Sequence, residues 1–214
     1  CFFISALVQL ISLAFLSGVS IPKPKRTSLG GRDIKTFFKN PVFLVGTISA
    51  AIGYAMMSYM MTATPLQIVN VANLGTSANA TIIQWHVVAM FAPAFFTGNL
   101  IARFGAPAVL SIGVVTYFGA IASALLGTGF WWYFSALVLM GLGWNFLFIG
   151  GSSLVASVAN SEERGRVQGI ADLMTTTSVA IASLTAGILH SQFGWEVMVL
   201  VALGPTALIA FFIV

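Results

Sequence analysis

The chain has 214 residues, 58% of them hydrophobic and only 7% charged, with a formal net charge of +4. A water-soluble domain carries about 25% charged residues, so a core of this size lacks the polar surface to cover it in water, and the expected solvent is lipid. The positive balance then marks loops on one side of a membrane rather than a nucleic-acid site, and the single cysteine, Cys1, excludes an internal disulfide or a cysteine metal cluster.

Residues 1–21 are a first apolar segment, long enough to span as a helix. Pro22, Lys23, Pro24, Lys25 and Arg26 end it, because proline breaks helices and the basic cluster stays out of lipid. The 22–40 stretch also holds Arg32, Lys35 and Lys39 against one acid, Asp33. Within it Ile34, Phe37 and Phe38 follow i, i+3, i+4 spacing. That suits a short amphipathic turn on the membrane surface, and a plain linker fits equally well.

A second helix is predicted over 41–65, opened by Pro41 at a favourable first-turn position. An uncharged polar loop at 70–80 leads to a third helix at 81–101. A tight turn around Arg103 and Gly105 follows, and Arg103 is the only charge between Lys39 and Glu162. Further helices are predicted over 107–127, 130–158, 161–190 and 195–214. The loop before the 161–190 helix carries Asn160 and Ser161 as caps and Glu162 and Glu163 in the first turn. Apolar runs at both ends, and no initiator Met, lead us to expect a fragment of a longer chain.

All nine Lys and Arg residues fall in alternate connections, so they lie on one face and make the 22–40 loop cytoplasmic. Trp85, Trp131, Trp132 and Trp195 lie at the opposite ends, as an interfacial aromatic belt does. Gly98-x-Leu100-x-x-x-Phe104-Gly105 recurs as Gly187-x-Leu189-x-x-x-Phe193-Gly194. The two copies join helices on opposite faces, as inverted three-helix repeats of secondary transporters do. Chance matches among common residues are the competing reading.

The residues Gly98, Leu100, Arg103 and Gly105 resemble the hairpin motif of the major facilitator superfamily, with Ala102 in place of its aspartate. The Glu163-Arg164-Gly165-x-x-x-Gly169 loop, which contains Arg166, resembles a second family pattern. The resemblance implies an all-α polytopic fold. In it, 1–21 is the remnant of helix six, 22–40 the linker between halves, and 41–214 the C-terminal six-helix half. It also implies an integral membrane location of the bacterial inner-membrane kind. The partners it implies are a missing N-terminal six-helix half, the lipid bilayer, a small-molecule substrate and protons if transport is proton-coupled.

The resemblance further implies that the 41–65 and 130–158 helices line a central path. Tyr54, Tyr59 and the methionines Met56, Met57, Met60 and Met61 sit on the first, where methionine serves either adaptable ligand contact or ordinary packing. Trp144 and Asn145 sit near the middle of the second and are the leading substrate-contact candidates. Asn145 needs a hydrogen-bond partner, which a cavity or a neighbouring helix would supply. The glycines Gly141, Gly143, Gly150 and Gly151 let helices approach.

His86 is expected roughly 9 Å inside the outer end of its helix, sharing a face with Met90, Pro93 and Thr97. It either titrates and gates, or is a neutral imidazole bonded to a neighbouring helix. Pro93 is expected to kink the helix. Asp172 is the only carboxylate inside a predicted span. By the resemblance it is a latch to the other half, and the competing reading is a local pair with Arg103 or Arg166. Glu196 reads as a first-turn acid.

These features point to alternating-access transport, as uptake or efflux, of a small neutral, amphipathic or aromatic solute, with no cofactor, metal or nucleic acid called for. An intramembrane serine protease is the chief rival. Gly150-Gly151-Ser152-Ser153 lacks the glycine after the serine, and His190 is expected at the far end of the membrane from Ser152. A channel-type subunit is the third reading.

Overall fold

The computed structural model describes residues 2–19 and 31–213, and every regular element among them is helical. Lys23, Lys25, Arg26 and the first part of the basic 22–40 stretch lie outside the described residues. The chain divides into two units, 1–30 and 31–214. The first contributes α1 (Phe2–Ser17), an exposed apolar helix. Everything below concerns the second.

α2 (Ile34–Phe37) is a single turn started by Asp33, whose side chain accepts from the Lys35 N–H. The amphipathic spacing does produce a turn, but Phe37 faces protein rather than the membrane surface. It is buried in a small cluster with Phe43, Val155, Ala159, Val167 and Ala171. α3 (Pro41–Leu66) opens as its sequence requires, with Asn40 Oδ1 accepting from the N–H groups of Val42 and Phe43. Pro65 sits near its end, and the helix widens into a π turn, Gln67–Val71.

α4 (Gly75–Phe91) begins well ahead of the residue-81 start expected from the polar 70–80 stretch. Being uncharged, that stretch can continue a helix, and Gly75 at φ 84° supplies the turn. α5 (Ala94–Phe104) continues α4 after a break at Ala92–Pro93, bent by 41°. α6 (Ala106–Leu126) and α7 (Phe130–Ser157) follow. α8 (Arg164–Val201) is broken at Gly194, and α9 is Leu203–Ile213. Pro41–Val71, Ala106–Leu126 and Phe130–Ser157 are each long and apolar enough to cross a membrane, and so is the bent α4–α5 pair. The stretch Arg164–Ile213 has 50 residues, about twice the 20 or so one crossing needs, and Gly194 divides it.

The two copies of the repeated string share a backbone feature. Gly105 has φ 82° and Gly194 φ 78°, each directly after a phenylalanine. Positive φ is nearly free for glycine and costly for other residues. The common glycine is thus what lets each hairpin turn back.

α7 is the hub of the bundle, with α3, α4 and α6 packed on it. Without a hydrophobic drive inside lipid, helices associate through close backbone approach and interhelical bonds. A Cβ built on Gly151 would lie 2.5 Å from the Gly46 carbonyl oxygen of α3. One on Gly141 would lie 2.6 Å from the His86 carbonyl oxygen of α4. Hydrogen bonds add to these contacts. Tyr117 of α6 donates to the Gly53 carbonyl at 2.5 Å, and Ser58 and Ser183 join α3 to α8 at 2.7 Å.

Gly151→Val is expected to push α3 off α7 and destabilise the protein by about 1–3 kcal/mol or more. Gly169→Ala, where an added Cβ meets nothing within 4 Å, is expected to leave stability unchanged or slightly raised. Thermal unfolding of the two variants in detergent checks both.

Candidate functional site

The centre of the bundle is built around the break at Pro93. Proline lacks an N–H, so a helix crossing it is left short of donors. Inside a bilayer those acceptors must be served by neighbours. Asn145 of α7 does this from the side. Its Nδ2 donates to the Met90 carbonyl at 2.7 Å, and its Oδ1 accepts from Thr97 Oγ1 at 2.6 Å. Met90 lies before the break and Thr97 after it, so one buried amide holds both arms. Thr97 Oγ1 also lies 2.8 Å from the Pro93 carbonyl, and Thr97 is the one buried residue of α5. Of the two partners expected for Asn145, the structure shows the interhelical one: its amide is engaged on both sides by α4 and α5.

His86 is fully buried in α4, and its Nδ1 lies 2.7 Å from the Leu137 carbonyl, as an Nδ1–H donor. Because α4 starts at Gly75, His86 lies about 16 Å along the helix at about 1.5 Å per residue, deeper than expected. It is bonded to a neighbouring helix, the quieter of its two readings. Tyr59 is buried too, and its hydroxyl donates to the Met198 carbonyl at 3.0 Å. Its ring also borders a cavity of about 630 Å³ between α3, α8 and α9. The methionines divide, with Met57 and Met60 in the core and Met56 and Met61 at its edge.

Tyr54 and Trp144 are brought together. Trp144 stacks on Phe148, with centroids 5.2 Å apart and planes 7° from parallel. Tyr54 meets Trp144 and Phe148 edge-on at 5.3 and 5.5 Å, and Phe91 meets Trp144 edge-on at 5.7 Å. Such tilted and offset pairs are favourable arrangements of ring quadrupoles. This cluster joins α3, α4 and α7 beside the Pro93 break. Phe91 and Phe148 were not singled out from sequence, although Phe148 lies one turn beyond Trp144.

Two further networks close the ends. At one end Gln67, turned inward by the π turn, donates to Tyr133 Oη and lies 3.0 Å from His190 Nε2. Trp195 packs on both Tyr133 and His190 and donates to the Ala124 carbonyl. His190 is thus engaged with Gln67, far along α8 from the loop that precedes it. At the other end Arg32 and Glu163 form the one ion pair among the described residues, at 2.7 Å. Glu163 is 4% exposed and Arg32 43%. Glu163 also accepts from the Arg32 N–H at 2.7 Å and the Asn160 N–H at 3.2 Å. Arg166 donates to the Arg32 carbonyl. The Arg32 guanidinium and backbone hold the Glu163 carboxyl down at about 2, and the bond to Glu163 raises Arg32 in turn. The sequence singled out the acid only as a helix-start residue. Nothing local to it names a partner so far along the chain.

The family model of the Major Facilitator Superfamily matches residues 74–214. The chain belongs to this superfamily. It is 35% identical over 199 residues to "Riboflavin transporter RfnT" of Brucella anthropi, covering 91% of this chain and 50% of that protein. It is 27% identical over 180 residues to "Uncharacterized MFS-type transporter YddS" of Bacillus subtilis, covering 80% of this chain and 40% of that protein. A third relative, "Uncharacterized MFS-type transporter YdeG" of the same organism, is 30% identical over 150 residues, covering 68% and 34%. The chain therefore spans half or less of the length of these superfamily relatives.

The superfamily motif residues take these places. Arg103 is exposed, its guanidinium 5.1 Å over the Phe104 ring. Gly98 faces open space, with nothing within 4 Å of an added Cβ. Asp172 is exposed and accepts from Gln168 Nε2 at 3.1 Å. It pairs with neither Arg103 nor Arg166, so the local-pair reading of Asp172 falls away. Arg164 is exposed at the start of α8.

Two predictions follow from this geometry. Asn145→Leu leaves the Met90 carbonyl without its side-chain donor and unties Thr97 from α7, and is expected to cost about 1–3 kcal/mol in denaturant or thermal unfolding. The Glu163 carboxyl falls from an ordinary 4.5 to about 2 on folding. The stability it contributes is therefore present above pH 4.5 and lost as pH falls toward 2. Glu163→Gln is expected to unfold at a lower temperature than wild type at neutral pH, with the gap closing across that acidic window.

Proposed function

We propose that this chain is the C-terminal half of a secondary transporter that moves a small, uncharged organic solute by alternating access. One observation carries the reading: the bundle's centre holds an aromatic cluster of Tyr54, Trp144, Phe148 and Phe91, with no charged residue on α3, α4 or α7. A polyanion would find no counter-charge there, whereas a neutral solute with an aromatic part finds matching surface. Kinship with the Brucella anthropi protein, whose name describes a riboflavin transporter, makes riboflavin the first solute to test.

The length of the relatives supports a second half that completes the path. Exposed Asp172, Arg103 and Gly98 are then the residues that meet it, with Asp172 as a latch on the cytoplasmic side. The basic 22–40 stretch faces the cytoplasm by the positive-inside rule. Arg32, Glu163, Arg164 and Arg166 lie on that same side and brace the joint between α7 and α8. His86 is engaged with α7, so if a proton drives transport its main carrier belongs to the other half.

The test is uptake by the full-length protein in proteoliposomes, with and without an imposed pH gradient. Saturable riboflavin uptake, competed by excess unlabelled solute, is expected. Uptake no greater than that of empty vesicles, across riboflavin and a panel of other neutral solutes, would refute the transport reading.

A further inference from the structure

Trp144 holds an anomaly that packing does not explain. Its ring is 6% exposed, and its Nε1–H is buried without any hydrogen-bond acceptor. A bare N–H in a medium without water costs free energy that a neighbouring oxygen would recover. Trp195, by contrast, donates its Nε1–H to the Ala124 carbonyl. The ring that carries this donor is packed among others, with Phe148 parallel at 5.2 Å and Tyr54 and Phe91 edge-on. The Tyr54 ring is edge-on to Trp144, and its hydroxyl makes no hydrogen bond among the described residues.

The cover over this donor is placed to move. Phe91 is 57% exposed and is the last residue of α4, directly before the 41° break at Pro93. Its neighbour Met90 is held to Asn145 on α7, the helix that also carries Trp144. Met90 stays tied to α7, so Phe91 uncovers Trp144 by turning its own largely exposed ring and not by a shift of α4.

We propose that Trp144 is the specificity-determining donor of this transporter. Its solutes are flat, neutral heteroaromatics whose ring carbonyl or ring nitrogen takes the Trp144 N–H once Phe91 swings aside. The inference rests on the transport reading above and adds the solute class and the group that reads it. Once they part, the rings offer a planar solute aromatic surface, the indole N–H fixes its orientation, and the absence of charge on α3, α4 and α7 excludes ions.

The experiment uses the full-length protein in proteoliposomes with three probes: riboflavin, lumichrome (the flat ring system alone) and ribitol (a flexible polyol). Lumichrome is expected to compete with riboflavin and ribitol not to. Trp144→Phe keeps a stacking ring and loses the donor. It is expected to raise the apparent KM for riboflavin about tenfold, with the maximal rate within about twofold of wild type. Lumichrome is expected to quench wild-type tryptophan fluorescence, and Trp144→Phe to weaken that quenching. The fluorescence measurement does not depend on transport. Quenching without riboflavin uptake would sink the riboflavin reading and leave the ring site standing. Uptake with an unchanged KM in Trp144→Phe, or competition by ribitol but not lumichrome, would overturn the ring site and leave transport standing. Absence of both quenching and competition by lumichrome would also overturn it.

Discussion

A helix broken inside a bilayer must find its missing hydrogen-bond partners in its neighbours, and the break at Pro93 finds them in Asn145. That single amide touches α4 through Met90 and α5 through Thr97. It therefore sets how both arms lie against α7. The His86 bond to Leu137 and the close approach at Gly141 follow the same register along α4. Phe91, one residue from Met90, is carried against Trp144 by that register. The hydrogen-bond requirement of the backbone thus positions an aromatic cluster that makes no backbone bond of its own.

Charge and aromatic character are separated along the bundle for an electrostatic reason. Burying an ion in lipid is costly, so the mid-membrane centre is assembled from rings, an amide and hydroxyls. The one ion pair described, Arg32 with Glu163, sits at the end where α7 hands over to α8. There the two carboxylate oxygens of Glu163 accept from the guanidinium fork of Arg32 and from its backbone N–H. The same residue lies over Phe37, whose ring is buried beside Phe43. Polar and apolar contacts therefore brace this end together. The opposite end uses neutral groups for the same task, with Gln67 between His190 and Tyr133.

Family membership and physical reading meet in the hairpins. The superfamily's motif is worn at Ala102, yet Phe104-Gly105 and Phe193-Gly194 keep one backbone conformation at both turns. What persists between the two copies is the stereochemistry of the turn, which only glycine adopts easily. The side chain before the phenylalanine, charged Arg103 in one copy and neutral Gln192 in the other, is free to differ because it does not set the chain's direction.

Lipid-matched segment length, alternation of basic loops and glycine at the turns are local properties. From them the sequence alone determined an all-α membrane chain and its break at Pro93, and the motif residues carried the resemblance to its family. Tyr54 and Trp144 were each singled out along the chain, and packing decided that they touch. The early start of α4 was not legible, because an uncharged polar stretch is compatible with loop and helix alike. Tertiary structure alone decided which polar groups are spent and which are spare. Asn145, Tyr59 and the His86 Nδ1 look as available as Trp144 when read along the chain, while the His86 Nε2 is buried without a partner, as the Trp144 Nε1 is. Their partners, Met90, Thr97, Met198 and Leu137, lie on other helices, and a hydrogen bond across a bundle leaves no trace in local spacing. The same reason hid Arg32 and Glu163 from each other until the fold brought them to 2.7 Å.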